Sequence, residues 1–116
     1  MPTPLDPLRD QLRAFASARD WDQFHSPKNL AMALSVESSE LLEHFQWLTE
    51  AQSRDLRDDA KQAVREEIAD VLLYLIRLAD QLGIDPIAAA HEKMTANEKK
   101  YPVDKARGTA KKYTEL

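Results

Sequence analysis

Glu67-Ile68-Ala69-Asp70-Val71-Leu72-Leu73-Tyr74-Leu75-Ile76-Arg77-Leu78-Ala79-Asp80-Gln81-Leu82-Gly83 is the stretch that decides the fold. From Val71 to Ile76 nothing polar but the tyrosine hydroxyl interrupts the run, and Leu78, Ala79 and Leu82 extend it. A helix that is apolar all round is normally buried all round. Gly83 suits the left-handed position just past a helix end, so the helix stops there. Its start falls between Ser53 and Asp58.

Working outward, the same punctuation recurs. Ser26-Pro27 reads as an N-cap followed by proline in the first turn, opening a helix that runs to about Leu48. Within it Leu30-Ala31-Met32-Ala33-Leu34 again leaves no polar face. Asp6-Pro7 opens an earlier helix, on which Leu8, Leu12 and Phe15 share one face. Asp85-Pro86 caps the last one, which runs to about Lys100 before Pro102 stops it. Two glycines against six prolines fit long helices with sharp stops. The expected fold is all-α, a four-helix protomer forming one domain over residues 1–116. Two wholly apolar helices exceed what one small core can bury, so a second subunit is expected to cover the remainder.

Composition narrows the class. Charged residues at 31% and hydrophobic ones at 43% describe a globular chain, and the absence of cysteine removes disulfides and thiolate metal sites. No segment reaches the ~18 consecutive apolar residues of a membrane span, and Met1-Pro2-Thr3-Pro4 lacks the features of a signal peptide. The expected location is cytoplasmic, with no membrane partner. The net charge of −4 is uneven: ten acidic residues face four basic ones between Glu37 and Asp70, whereas from about residue 103 the tail is basic. A polyphosphate would be repelled by the middle unless cations intervene. The same repulsion argues against a nucleic-acid polymer as partner.

Within that acidic middle, Glu37-Ser38-Ser39-Glu40 and Glu67-Ile68-Ala69-Asp70 are i, i+3 pairs on neighbouring helices. Each pair puts two like charges on one helix face among apolar residues, which destabilises the helix unless something compensates. Four carboxylates facing one another can be compensated by divalent cations, and an all-oxygen set suits Mg²⁺, with Mn²⁺ as the alternative. The bland alternative is a set of solvated acids beside an apolar stripe. Di-iron bundles use Glu-x-x-His motifs, and neither helix carries one.

The two acidic pairs resemble the signature of the MazG-like all-α NTP pyrophosphohydrolases. Arg19-Asp20-Trp21-Asp22-Gln23-Phe24-His25-x-Pro27-x-Asn29-Leu30 is similar to the dCTP pyrophosphatase branch. So are Glu40-Leu41-x-Glu43-x-Phe45-Gln46-Trp47, Asp70-Val71-Leu72-x-Tyr74-Leu75, Lys93-Met94-x-x-Asn97-x-x-Lys100-Tyr101-Pro102 and Lys112-Tyr113-Thr114-Glu115-Leu116. The resemblance covers nearly the whole chain after Leu8. It implies a MazG-like protomer assembling as a dimer or dimer of dimers, cleaving dCTP-type nucleotides to monophosphate and pyrophosphate and so clearing unwanted nucleotides. Carried over residue by residue, it makes Glu37, Glu40, Glu67 and Asp70 the Mg²⁺ ligands. Trp21, Phe24, Trp47 and Tyr74 become walls for the base, with His25 beside them; Lys93, Asn97 and Lys100 become phosphate contacts. Ser38 and Ser39 stand where the family often has glycine, and Leu12 stands where some members carry a histidine.

Such chemistry needs positioning and charge stabilisation rather than a covalent nucleophile. Water would attack the α-phosphorus, and Glu43, about 60° round the helix from Glu40 at ~100° per residue, is the candidate general base. Two competing readings keep the same helices: a non-enzymatic dimerisation module whose acidic face binds a protein, and the same enzyme acting on dUTP or other non-canonical nucleotides. On spacing alone Trp47 and Tyr74 suit a core as well as a base platform.

Overall fold

The computed structural model describes residues 2–116; Met1, at the head of the N-terminal reading, lies outside them. It is all helical, with no strand among the described residues. Six α-helices run in the order α1 (Asp6–Ala18), α2 (Pro27–Glu43), α3 (Glu50–Ser53), α4 (Asp58–Gln81), α5 (Pro86–Lys100) and α6 (Val103–Ala106), with short 3-10 turns at Asp22–Phe24 and Tyr113–Glu115. No helix among the described residues is long and apolar enough to cross a membrane. The chain divides into two compact units, Met1–Ile84 and Asp85–Leu116.

In the first unit α2 and α1 both pack on α4. Most of the expected punctuation is present. The Ser26 side chain accepts from the Asn29 amide with Pro27 in the first turn. Gly83 ends α4 at φ +66°, where the Ile84 amide donates back to the Ala79 carbonyl and closes the helix. The start of α1 differs slightly: Asp6 is its first residue, and its carboxylate accepts from the amide and hydroxyl of Thr3.

The larger difference is at the end of α2. Helix was expected to about Leu48, but α2 stops at Glu43 and the chain turns through His44–Leu48. The cause lies just downstream. Thr49 and Gln52 form a reciprocal capping box that starts α3, the Thr49 side chain accepting from the Gln52 amide while the Gln52 side chain accepts from the Thr49 amide. An N-cap needs extended backbone, and Thr49 has ψ 166°, so the preceding helix must already have ended. Trp47 is therefore not on the helical face of Glu37 and Glu40.

The buried apolar residues are few: Ala16, Leu30, Val64, Ile76 and Ala79. Met32, Val36, Leu42, Ile68, Leu72 and Leu75 on α2 and α4 stay exposed. In the second unit the Asp85 carboxylate caps α5 by accepting from the Ile87 and Ala88 amides. The basic tail there carries structure of its own. Tyr113 meets Tyr101 edge to face with ring centres 6.0 Å apart, and Lys100 Nζ sits 4.8 Å over the Tyr113 ring.

Candidate active site

The two acidic pairs meet because α2 and α4 pack along the faces that carry them. Glu37, Glu67 and Asp70 each bring one carboxylate oxygen into a group whose members lie within 4.8 Å of one another. Glu40 falls outside that group, yet it is near enough to act on both Glu37 and Glu67. Burial pushes the Glu37 carboxyl up to about 7, helped by a hydrogen bond with Glu40 and by the charges of Glu40, Asp70 and Glu67. Burial also raises Glu67, with Glu40 and Asp70 adding to the rise, while Glu37 and His44 oppose it. His44, one turn past Glu40, is near enough to Glu67 to act on it.

Glu37 Oε2 and Glu67 Oε2 are buried without a hydrogen-bond partner. A buried polar atom left unpaired costs about 1–3 kcal/mol, more when charged. Converging oxygens, two orphaned acceptors and mutual repulsion together fit a hard divalent cation, for which carboxylate oxygens are the ordinary ligands. Glu37, Glu67 and Asp70 are the residues that would hold it, with Glu40 beside them.

Next to the carboxylates lies a cleft of about 160 Å³ lined by Leu12, Phe15, Ala16, Trp21, His25, Asp70, Leu73, Tyr74 and Arg77. At ~30 Å³ per water, that is room for about five waters, the scale of a single heteroaromatic ring. Asp70 belongs to both features, so the cleft and the cation site share a wall. Phe15 and Trp21 meet edge to face with ring centres 5.6 Å apart, and Trp21 meets His25 the same way at 6.1 Å.

Of the expected base walls, the structure places Trp21 and Tyr74 in the cleft with His25, and Leu12 lines it as well. Phe24 (57% exposed) and Trp47 (87% exposed) do not line it. Glu43 ends α2 on an exposed position outside the carboxylate group. Lys93, Asn97 and Lys100 are on α5, in the second unit.

The sequence reading missed the ion network behind the cleft. Arg77 is 5% exposed in the middle of the apolar α4 run. Its Nη2 donates to Asp22, its Nε donates to His25 Nδ1 at 3.1 Å, and Nη1 lies 3.7 Å from Asp80. Arg13 in turn grips both oxygens of Asp80, holding that carboxyl below its usual range. A lone arginine inside an apolar helix was the available signal, because a buried guanidinium requires partners.

Residues 32–116 match the MazG-like family. The chain belongs to it. Along 97% of its length, this MazG-like chain is 43% identical to dCTP pyrophosphatase 1 of Rattus norvegicus, and 42% identical to that of Homo sapiens, in each case spanning 67% of the relative. Among solved structures it is similar to a pyrophosphatase from Archaeoglobus fulgidus, with a TM-score of 0.81 and 45% identity over 88% of this chain and 95% of that one. These matches bear out the expected all-α MazG-like fold and an enzyme of the dCTP-pyrophosphatase kind.

Proposed function

We propose that this MazG-like chain hydrolyses dCTP, or a close relative of it, to the monophosphate and pyrophosphate in a reaction that depends on Mg²⁺. One observation carries the reading: Asp70 is at once a member of the converging carboxylates and a wall of the ring-sized aromatic cleft. A nucleotide with its base in the cleft therefore extends its phosphates toward Glu37 and Glu67. Binding a bare triphosphate beside this acidic cluster would be repulsive, and the divalent ion supplies the charge neutralisation at the phosphates and leaving group. Glu37, Glu67 and Asp70 would hold that ion, with Glu40 adjusting their charge.

The side chains do the remaining work by positioning. Trp21 and Tyr74 hold the base, and the buried side of the cleft excludes water from its edge, which strengthens each hydrogen bond made there. Glu43, an exposed side chain one turn from Glu40, is the proposed general base for the attacking water. Lys93, Asn97 and Lys100, which can donate to phosphate oxygens, are the proposed phosphate contacts. The exposed apolar faces of α2 and α4 support a further element of the proposal, self-association into a dimer or dimer of dimers. The biological role follows the chemistry: removal of unwanted deoxynucleotides from the pool.

The test is a pyrophosphate-release screen over dCTP, dUTP, dTTP, dATP and modified dCTPs, each with and without Mg²⁺. Release from dCTP that disappears on chelation is the expected result. No release from any nucleotide would leave the non-enzymatic dimerisation module as the better account.

A further inference from the structure

The helices of the first unit are held in two different ways. α2 packs extensively on α4, whereas α1 buries Ala16 alone and the turn at Asp22–Phe24 buries nothing. What ties α1 and the turn to α4 is a chain of alternating charges. Arg13 of α1 donates through Nε and Nη2 to both oxygens of Asp80, and one of those oxygens lies 3.7 Å from Nη1 of Arg77. Nη2 of Arg77 donates to Asp22 on the turn, and its Nε donates to His25 Nδ1 at 3.1 Å. α1 and the turn are themselves one body. The Trp21 amide donates to the Ala16 carbonyl, and the Arg19 guanidinium sits 3.6 Å over the Phe15 ring.

The cleft runs between that body and α4. Leu12, Phe15 and Trp21 line it from one side, Leu73 and Tyr74 from the other. Separating the two sides opens it, and little buried apolar surface opposes the separation. Segments with few buried contacts are the ones that open locally. His25 sits where a proton would break the tie. A neutral imidazole has one acceptor nitrogen, and Arg77 occupies it. An added proton must go to that same Nδ1, which removes the acceptor and sets two N–H groups against each other. The charges point the same way. Two guanidiniums and two carboxylates cancel, and an imidazolium would leave one positive charge in excess beside Arg77, which is 5% exposed. An uncompensated charge at so buried a place is costly.

We propose that α1 with its turn is a latched flap, that the chain Arg13–Asp80–Arg77–Asp22 is the latch, and that protonation of His25 releases it, so that acid opens the cleft. The latch is a property of the free chain. Its consequence rests on the proposed activity: closure of the flap around a nucleotide excludes water from the reaction. The charged and titratable groups around His25 are Asp22 on its own turn and Arg77 on α4, with Asp80 behind Arg77 and Arg13 of α1 beyond Asp80. Asp70 and Tyr74 line the same cleft, and Lys28 of α2 is exposed. Burial, followed by the charge of Arg77, holds the His25 imidazolium below its ordinary 6.5, against the opposing charge of Asp22. A basic group whose pKa is lowered in the closed form favours closure fully above about 6.5, and that preference is lost as pH falls below it.

The experiment has two arms. Hydrogen–deuterium exchange of the free chain, corrected for intrinsic rates, reads the latch without nucleotide. Between pH 7.5 and 5.5 the protection of residues 6–24 should fall several-fold, and at most about tenfold for one proton taken up on opening. Residues 58–81 should not follow. His25→Gln keeps an acceptor for Arg77 Nε and cannot titrate, so in that variant the fall should vanish. Arg13→Met removes the outer link from a half-exposed position and should lower the protection of residues 6–24 at both pH values, with that of 58–81 retained. Steady-state kinetics then takes the KM for dCTP in the parent over that in His25→Gln. This ratio should grow several-fold from pH 7.5 to 5.5 as the closed fraction shrinks, while titrations the two proteins share, Glu37 among them, cancel. An equal pH dependence of exchange in His25→Gln overturns the proposal, as does a loss of protection spread evenly over residues 6–81 in Arg13→Met, or a KM ratio that stays level. Should His25→Gln not fold, the pH series of the parent and Arg13→Met still decide. A parent that turns over no nucleotide would instead defeat the proposed activity, and the exchange arm would still decide the latch.

Discussion

Replacing Glu37 with glutamine should make the metal-free protein more stable, although it alters a residue of the active site. In the folded chain the Glu37 carboxyl titrates at about 7 against an ordinary 4.5. A carboxyl raised on folding binds more protons in the native than in the unfolded state between those two values. Stability is therefore fully present below about 4.5 and declines as pH rises through about 7. At 1.36 kcal/mol per unit, that shift corresponds to about 3 kcal/mol at most. Screening at a site reached by solvent lowers the figure to about 1–2 kcal/mol. Glutamine is nearly isosteric and uncharged, and its amide can donate to Glu40 or Glu67, so Glu37→Gln should recover that energy. For a chain of this size, a gain of about 1–2 kcal/mol raises Tm by roughly 4–10 °C. The assay is thermal unfolding at pH 8 and pH 5, at fixed protein concentration, with EDTA or with Mg²⁺. In EDTA at pH 8 the variant should melt higher than the parent, and at pH 5 the gap should narrow. Added Mg²⁺ should raise the parent's Tm and affect the variant far less. A variant that melts lower in EDTA at pH 8, or gains as much from Mg²⁺ as the parent, would refute the reasoning that these carboxylates are strained for want of a cation.

Four further outcomes are expected. Glu40→Ala and Asp70→Ala should each lose more than about tenfold in kcat/KM, some 1.4 kcal/mol of barrier, while circular dichroism shows the helices retained. Asp80→Ala strips a counter-ion from buried Arg77 and should destabilise the chain by about 3 kcal/mol, read from urea unfolding of the monodisperse protein. Sedimentation velocity at micromolar concentration should show an assembly larger than the 13.2 kDa protomer, in which the exposed apolar side chains Met32, Val36, Leu72 and Leu75 of α2 and α4 become covered. Trp47→Ala should weaken KM for every base alike if the exposed indole stacks on substrate in the assembled protein; unchanged KM values would remove it from the site.

Much of this arrangement was legible in the chain. Local chemistry fixed the helix starts at Pro27 and Pro86, where Ser26 and Asp85 cap them, and the stop at Gly83. The i, i+3 spacing put Glu37 beside Glu40 and Glu67 beside Asp70 on single helix faces, and packing of the apolar runs did the rest. Reading α2 through to Leu48 went wrong because His44–Trp47 contains neither glycine nor proline. The signal was in Thr49-x-x-Gln52, a capping box that needs extended backbone where a continuous helix has none. Arg77 was hidden for a different reason. Its partners Asp22 and His25 lie 55 and 52 residues away, and no local pattern reports a pairing made only by the docking of α4 against the segment after α1. The cleft was foreseen in its aromatic character but not in its polar back wall.

The most direct test of the central claim is to identify the products formed from dCTP and Mg²⁺. Asp70 is common to the cleft and the carboxylate cluster, so a nucleotide bound as proposed would bring its innermost phosphate nearest the cation site. The account predicts dCMP and pyrophosphate in equal amounts, abolished by EDTA and by Asp70→Ala. Formation of dCDP and inorganic phosphate, or equal turnover in EDTA, would contradict it.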